Sequence, residues 1–210
     1  MATASGKAVK RSVLRSVGFS IISSIYGLYW FYVTRTAVDQ EVGESRALKI
    51  SPSAQVIALI VVAILGFVPI VGLLAPLAFI VFAYGLLKDI GDARVRAGLT
   101  PIPVAVYLVV PILSGIILAL IPVLGLLAPI VTLVFFGLTV QKLNEYWDKQ
   151  GASDAPYTTG EIIAIIAGIV LNVLIFILIS AAILALIGLS NDPDIQNELQ
   201  NELNSGSYSY

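Results

Sequence analysis

The chain has 210 residues, of which 58% are hydrophobic and only 12% are charged, whereas an average soluble domain has roughly 25% charged residues. A soluble protein of this size could not cover its surface with so few charges, and the mean hydropathy is +0.96, so the composition predicts an integral membrane protein. The absence of Cys and His excludes disulfides, thiolate or His-ligated metals, haem and a Ser-His-Asp triad. The net charge of −1 gives no reason to expect nucleic acid as a partner.

The first segment, residues 1–16, is basic. Lys7, Arg11 and Arg15 are spaced four residues apart with Lys10 beside them, and apolar residues fall toward the other face. This spacing predicts an amphipathic helix over residues 7–17 that binds the anionic lipids of the cytoplasmic leaflet. A charge cluster that only sets the topology is the alternative. A cleaved signal peptide is disfavoured, because no small-x-small site follows the apolar stretch.

Four long apolar blocks follow, at residues 17–33, 54–87, 102–140 and 162–189. A helix needs about 20 residues to cross the hydrocarbon core, so the fourth block predicts one tilted crossing. The second and third blocks are too long for one crossing and short for two, which predicts tight helical hairpins. The sequence therefore predicts an all-α integral membrane protein. Its predicted segments are 1–16, 17–53, 54–101, 102–161, 162–189 and an acidic tail at 190–210.

Both hairpin blocks contain the same turn signal. Residues 69–76 read Pro-Ile-Val-Gly-Leu-Leu-Ala-Pro, and residues 122–129 read Pro-Val-Leu-Gly-Leu-Leu-Ala-Pro. Proline removes a backbone donor and clashes with the preceding turn, so each run predicts a bend between two half-helices. The shared spacing of 53 residues predicts an internal duplication, with coincidence in Leu-rich sequence as the alternative. The predicted bend residues are Pro69, Gly72, Pro76, Pro122, Gly125 and Pro129.

The distribution of positive charge predicts the topology. All 12 Lys and Arg residues lie in the segments 1–16, 34–53, 88–101 and 141–161, and none lies in 190–210. If the first three blocks each return to the side they left, every base lies on one face, which the positive-inside rule makes cytoplasmic. The sequence thus predicts a multipass protein of the cell membrane with a cytoplasmic N-terminus and an external acidic tail, in which a short helix follows Asp192.

The first block ends in the aromatic-rich run Ile-Tyr-Gly-Leu-Tyr-Trp-Phe-Tyr at residues 25–32. Aromatic rings concentrate at the headgroup depth of a bilayer, so the run predicts an interfacial belt, with a ligand-binding aromatic platform as the alternative. The aromatic residues of this belt are Tyr26, Tyr29, Trp30, Phe31 and Tyr32.

This run, followed by Arg35 and a polar stretch, resembles the domain of unknown function 4234 family of small prokaryotic multipass membrane proteins. Phe-Val-Pro-Ile at 67–70 and Gln-Lys-Leu-Asn-Glu-Tyr-Trp at 141–147 extend the resemblance over residues 10–150. The chain departs from the family in its duplicated Leu-Leu-Ala-Pro segments and in its fourth block. The resemblance implies a multipass architecture; because the family has no established activity, it implies no mechanism.

The charged residues of the connections predict ordinary solvated helix faces. Lys88 and Asp92, like Glu145 and Lys149, are opposite charges four residues apart, a spacing that stabilises an exposed helix. Ligation of a hard cation, or acid-base chemistry, by Asp89 and Asp92 is the less favoured alternative.

The apolar blocks carry no Asp, Glu, Lys, Arg or His, although ion-coupled transporters usually need ionisable groups within the membrane. Asn172, in the fourth block, is predicted to hydrogen-bond a neighbouring helix rather than a substrate. The sequence therefore offers no catalytic residue, cofactor site or metal site. It favours a non-enzymatic structural or membrane-organising protein that acts through hairpin wedging and self-association into homo-oligomers, with the lipid bilayer as its partner. A passive channel or transporter subunit is the alternative, and an intramembrane enzyme ranks third.

Overall fold

The computed structural model describes residues 10–65, 75–120, 127–190 and 201. Within these ranges the chain is all-helical. Its helices are α1 (Val13–Ile22), α2 (Ser24–Val42), α3 (Pro52–Leu65), α4 (Ala75–Arg96), α5 (Val104–Ala119), α6 (Ala128–Lys149) and α7 (Thr159–Ser190). A single 3-10 turn, Gly43–Ser45, follows α2. Several predicted features lie outside the described residues, namely Lys7, Pro69, Gly72, Pro122, Gly125 and all of the acidic tail beyond Ser190 except residue 201.

The first apolar block folds as two helices that meet at Ser23. This residue is extended (φ −139°, ψ 108°) and caps α2, since its hydroxyl accepts a hydrogen bond from the backbone N–H of Tyr26. Serine is a favoured residue at this capping position. Arg15 in α1 and Tyr26 in α2 both hydrogen-bond Glu161. The chain therefore reverses direction inside the block 17–33.

The N-terminal helix begins later than the spacing of the bases predicts, at Val13 rather than near residue 7. The backbone of Lys10 instead pairs with residues 153–155 in a short parallel bridge. The side-chain amide of Asn144 holds both the N–H and the carbonyl of Arg11. These long-range contacts satisfy backbone groups that a local helix would otherwise use, so residues 10–12 stay extended.

Helix α3 packs against α4, and α5 packs against α6. Pro76 and Pro129 stand at the second position of α4 and α6, where the missing N–H of a proline has no helical partner to lose. Each of these two prolines therefore begins the second helix of its pair. The proline within α5 has a different position: Pro111 lies inside the helix, which continues through it without a break.

Helices α4 and α6 correspond residue by residue at an offset of 53. Each has 22 residues, and each is followed by a glycine with positive φ, Gly98 at 73° and Gly151 at 71°. The N–H of Leu99 donates to the carbonyl of Arg94, and the equivalent bond in the second pair is also 2.9 Å long. This is the Schellman arrangement, in which glycine provides the left-handed conformation that ends a helix.

The buried core lies toward the C-terminal halves of α4 and α6, where α2 packs between its neighbours. Helix α2 contacts α3, α4 and α7, and α1 contacts α6. The core residues are Tyr26, Trp30, Val38, Val42, Leu86, Leu87, Ile90, Ala93, Ile102, Val140, Leu143, Tyr146 and Trp147. The core is thus assembled beside the connections between the apolar blocks.

The N-terminal halves of α4 and α6, together with α3, α5 and α7, carry large apolar side chains that remain exposed. One helix in the described ranges, over Thr159–Gly188, is long and apolar enough to cross a membrane by length and composition. The mean hydropathy of its most apolar window is 3.2, and only 11% of that window is buried. Helices α1, α3 and α5 are apolar but shorter.

Candidate functional site: the ionic end

Charged side chains pair with one another around this core, close to the connections between helices. We call these paired side chains the ionic end. They are Lys10, Arg15, Arg35, Asp39, Arg46, Asp89, Arg94, Lys142, Glu145, Asp148, Asp154 and Glu161.

Glu161, in the first turn of α7, is fully buried. Arg15 donates to both of its carboxylate oxygens, and the hydroxyl of Tyr26 donates to one of them over 3.1 Å. Burial lowers the pKa of Arg15, but the hydrogen bonds and the negative charge of Glu161 outweigh this effect and raise the pKa above its ordinary value. The N-terminal position in α7 also stabilises a carboxylate through the helix dipole. The ion pair therefore joins α1, α2 and α7.

Arg35 and Asp89 form a fully buried ion pair between α2 and α4, with 2.5 Å from Nη1 to Oδ2. The second oxygen of Asp89 accepts the backbone N–H of Ala47 over 2.7 Å. Nη2 of Arg35 also lies 2.9 Å from Oδ1 of Asp39, within ion-pair distance but without the alignment of a hydrogen bond. The pair thus ties the connection after α2 to the middle of α4.

Arg94 is buried near the C-terminus of α4. It binds the connection between α4 and α5, as the Arg35–Asp89 pair binds the connection after α2. Its Nε donates to the carbonyl of Thr100 over 2.9 Å, Nη1 donates to the carbonyl of Lys142, and Nη2 donates to the carboxylate of Glu145 over 2.8 Å. Burial raises the pKa of Glu145, but the hydrogen bonds from Lys142 and Arg94 outweigh it and lower that pKa. Arg94 therefore holds the α4–α5 connection against α6.

The hydroxyl of Tyr146, in α6, donates to the carboxylate of Glu41 at the end of α2 over 3.1 Å. Burial raises the pKa of Tyr146 to about 12, and the charge and hydrogen bond of Glu41 act in the same direction. Tyr146 therefore stays protonated and keeps the end of α2 against α6.

Two of the three described bases that were predicted to bind the membrane surface form ion pairs with carboxylates of the protein. Lys10 Nζ lies 2.6 Å from Asp148 and 3.4 Å from Asp154, and the hydrogen bond to Asp148 raises the pKa of Lys10. Arg15 is held by Glu161. Arg11, which is only 8% exposed, forms no ion pair within the described ranges.

The predicted interfacial aromatic residues divide between core and surface. Tyr26 is 0% and Trp30 is 5% exposed, and the Trp30 ring lies edge-on to Phe136 with 4.7 Å between centroids. Tyr32 is exposed, and the remaining two are half-buried against the core. The aromatic run therefore contributes largely to the packing of α2.

The ion pairs differ from those predicted from local spacing. Glu145 pairs with Arg94 and Lys142, and no ion pair between Lys88 and Asp92 is present in the described part of the chain. The predicted packing role of Asn172 is confirmed, because its Nδ2 donates to the carbonyl of Ile22 over 3.2 Å.

Sequence reasoning missed the buried charges Arg35, Asp89, Arg94 and Glu161. One signal was present for the last of these: Glu161 and Arg15 each stand within two residues of the start of an apolar block, where an isolated charge is expensive unless it is paired.

In chemical terms, the ionic end holds connections and helix ends together. Over the described ranges, no group of three Asp or Glu side chains is arranged to hold a metal ion. Comparison with known protein families, curated proteins and solved structures finds no match. The resemblance to the domain of unknown function 4234 family therefore remains a prediction.

Proposed function

We propose that the protein is embedded in a membrane by three re-entrant hairpins and one crossing helix, and that it shapes or organises the bilayer without catalysing a reaction. One observation carries this proposal. Lys10 and Glu41, which flank the first apolar block, both contact the end of α6, at Asp148 and Tyr146. A chain that leaves and returns to the same place has both ends of the block on one side of a bilayer.

The contacts of the second and third blocks support the same path. Asp89, in α4, binds the backbone of Ala47 just before α3, so residues 47–89 begin and end together. Arg94 binds the carbonyls of Thr100, before α5, and Lys142, in α6. Residues 100–142 therefore also return to the ionic end.

The lengths of the helices support shallow hairpins. At 1.5 Å per residue, the 14 residues of α3 rise about 21 Å, and the apolar part of α4, residues 75–87, rises about 20 Å. A hydrocarbon core is about 30 Å thick. The 32 residues of α7 rise about 48 Å, which is sufficient for a complete, tilted crossing.

Exposure of apolar side chains supports contact with lipid. Ile64 at the end of α3 is 64% exposed, Leu120 after α5 is 79% exposed and Phe176 in α7 is 72% exposed. Extensive exposed apolar surface marks a membrane or protein interaction site. The ionic end holds six of the twelve bases, so the positive-inside rule supports a cytoplasmic ionic end and an external C-terminal end of α7.

We also propose that the α3–α4 and α5–α6 pairs are copies of one duplicated unit. The support is the offset of 53 residues shared by the bounds of α4 and α6, by Pro76 and Pro129, and by the glycines that end both helices. Two similar wedges side by side would displace more lipid than one, as expected of a protein that bends a membrane.

A depth measurement tests the shallow hairpins. Single Cys substitutions in this naturally Cys-free chain, carrying a nitroxide in liposomes, report depth by their collision rates with oxygen and with a polar quencher. We expect labels at Ile64 and Leu120 to lie near the bilayer centre. Labels along α7 provide the matched control, since depth should rise from Ile163 to a maximum and fall again by Ile187.

If the labels at Ile64 and Leu120 instead lie at the far headgroups, the hairpins are complete spans and the one-leaflet arrangement is wrong. If depth along α7 rises without falling, the terminal helix does not cross.

Vesicle shape tests the function itself. Wild-type protein reconstituted at rising density should reduce vesicle diameter, because shallow hairpins expand one leaflet. Ile64→Lys should weaken the effect by drawing the hairpin toward the surface. Ile57→Lys, in the same helix and 61% exposed, is the control, since a lysine closer to the ionic end reaches water with its flexible stem. Unchanged vesicles together with a solute leak would support the passive channel instead.

A further inference from the structure

A cavity of about 300 Å³ opens between the residues before α1, the C-terminal part of α6 and the segment that follows it. Its lining residues are Lys10, Arg11, Ser12, Arg15, Asn144, Asp148, Asp154 and Ala155. Three bases and the carboxylates of Asp148 and Asp154 therefore surround one small space at the ionic end.

Two of these bases already have counter-charges. Lys10 pairs with both Asp148 and Asp154, and Arg15 is held by Glu161. Arg11 differs: it is 8% exposed, its Nε is buried without a hydrogen-bond partner, and no carboxylate of the described residues forms an ion pair with it. A buried cation is strongly unfavourable without a counter-charge, so an anion in the cavity would stabilise this guanidinium.

The surroundings hold Arg11 in place for such a partner. The amide of Asn144 accepts the N–H of Arg11 over 3.2 Å and donates to its carbonyl over 2.7 Å. Ser12, the next residue, caps the ten-residue helix α1. The positive end of that helix therefore lies beside the same cavity, with Ser12 and Arg15 in the lining.

We propose that this cavity binds a phosphate group, either the phosphate of an anionic lipid headgroup or a free phosphate ion, with Arg11 as its principal ligand. A guanidinium donates two parallel hydrogen bonds to phosphate oxygens, and the positive end of α1 favours an anion at the same place. The inference deepens the proposed function, because in that arrangement the ionic end lies at headgroup level. The phosphate would supply the counter-charge that Arg11 lacks and would hold the first hairpin at the membrane surface.

Purified full-length protein in a non-ionic detergent provides the test. One arm adds inorganic phosphate against chloride at equal ionic strength, and the other adds phosphatidylglycerol against phosphatidylcholine in mixed micelles. Binding is followed by calorimetry for phosphate and by native mass spectrometry for lipid, and unfolding temperature is followed in both arms. The variant is Arg11→Met, and Lys88→Met, which removes an exposed base of α4, is the matched control.

We expect wild type and Lys88→Met to bind and to unfold at a higher temperature with the ligand. Arg11→Met should lose about tenfold or more in affinity and lose the temperature shift. In chloride alone, Arg11→Met should be at least as stable as wild type, because it removes an uncompensated buried charge. Should Arg11→Met fail to fold, Arg11→Lys keeps the charge without the paired hydrogen bonds and should bind more weakly than wild type.

Binding of phosphatidylglycerol alone identifies a headgroup site, and binding of inorganic phosphate as well identifies a site open to the free ion; both outcomes support the proposal. It is overturned if wild type binds neither, or if the Arg11 variants bind as tightly as wild type. The detergent arms do not depend on vesicle shape, so a failure of the membrane-shaping function would leave this result distinct.

Discussion

At the scale of single residues, the charges of the Arg35–Asp89 pair are not screened by solvent, since both side chains are fully buried. Removing one partner leaves an unpaired buried ion, which costs about 3–5 kcal/mol. We therefore expect Arg35→Met to lower the free energy of unfolding by about this amount, measured by denaturant titration in detergent.

The double variant Arg35→Met/Asp89→Asn should recover part of that loss, because an asparagine is uncharged and its carbonyl can still accept the N–H of Ala47. Lys88→Met, beside the pair but exposed, should change the unfolding free energy by no more than about 0.5 kcal/mol. Strictly additive losses in the double variant would show that the two charges do not depend on each other.

The phenol of Tyr146 gives a prediction at alkaline pH. An ordinary tyrosine ionises near pH 10, whereas burial raises the pKa of Tyr146 to about 12. The unfolded chain therefore loses this proton before the folded one does, and stability contributed by Tyr146 falls as the pH rises from about 10 toward 12. The difference in tyrosinate absorbance between wild type and Tyr146→Phe should titrate near pH 12. A difference centred near pH 10 would mean that the phenol is not buried.

The sequence predicts that charges lie in the connections, but it does not predict their partners. Arg94 and Glu145 are 51 residues apart, and their pairing depends on how α4 packs against α6. Local spacing pointed to Lys149 as the partner of Glu145, because helix neighbours are the only contacts that spacing alone reveals. Which charges are buried is a property of the assembled helices.

At the scale of elements, the contact of α2 with α7 depends on small residues. Gly160, Ala164 and Gly168 are spaced four apart on α7, a pattern that lets helices approach closely. The hydroxyl of Ser23 donates to the carbonyl of Ala164 over 2.9 Å, and the Ser23 side chain occupies the space that a Cβ on Gly168 would need. The point where the first block reverses is thus seated directly on α7.

We expect Gly168→Ala to destabilise the protein by about 1–3 kcal/mol, because the added methyl meets Ser23 and the helices must separate. The matched control is Gly188→Ala in the same helix, where nothing lies within 4 Å of the added Cβ. That substitution should be neutral or stabilising by up to about 1 kcal/mol, as alanine favours helix. Thermal unfolding in detergent measures both. Equal effects of the two substitutions would rule out close packing at Ser23.

The apolar pattern predicts the existence of most elements but misses several of their boundaries. Block 162–189 corresponds to α7, and blocks 54–87 and 102–140 each contain a helix pair. The break at Ser23 was missed because apolar residues continue on both sides without proline. Helices α4 and α6 continue nine residues beyond their blocks, to Arg96 and Lys149, since the packing of their polar C-terminal halves at the ionic end keeps them helical.

At the scale of the whole molecule, charge and apolar surface are separated, with the described bases gathered around the connections and exposed apolar side chains on the rest of the helices. A bilayer favours one orientation of such a molecule, with the bases in the cytoplasm. We expect a membrane-impermeant maleimide to label Ser205→Cys in intact cells and to leave Ser153→Cys unlabelled. Ser153 is exposed, so permeabilised cells, in which both should react, provide the control. Labelling of Ser153→Cys in intact cells would show that the orientation is the opposite of the one proposed.

The anchoring of Arg15 and Tyr26 on Glu161 has a consequence for the order of events during synthesis. These partners are separated by 146 and 135 residues, so the ribosome completes both later helix pairs before the first reversal acquires its carboxylate. Until then Arg15 cannot form its ion pair with Glu161. Helix α7 can therefore bind the first reversal only after both helix pairs between them have been synthesised. A nascent chain that ends before residue 161 lacks the carboxylate that Arg15 and Tyr26 both bind.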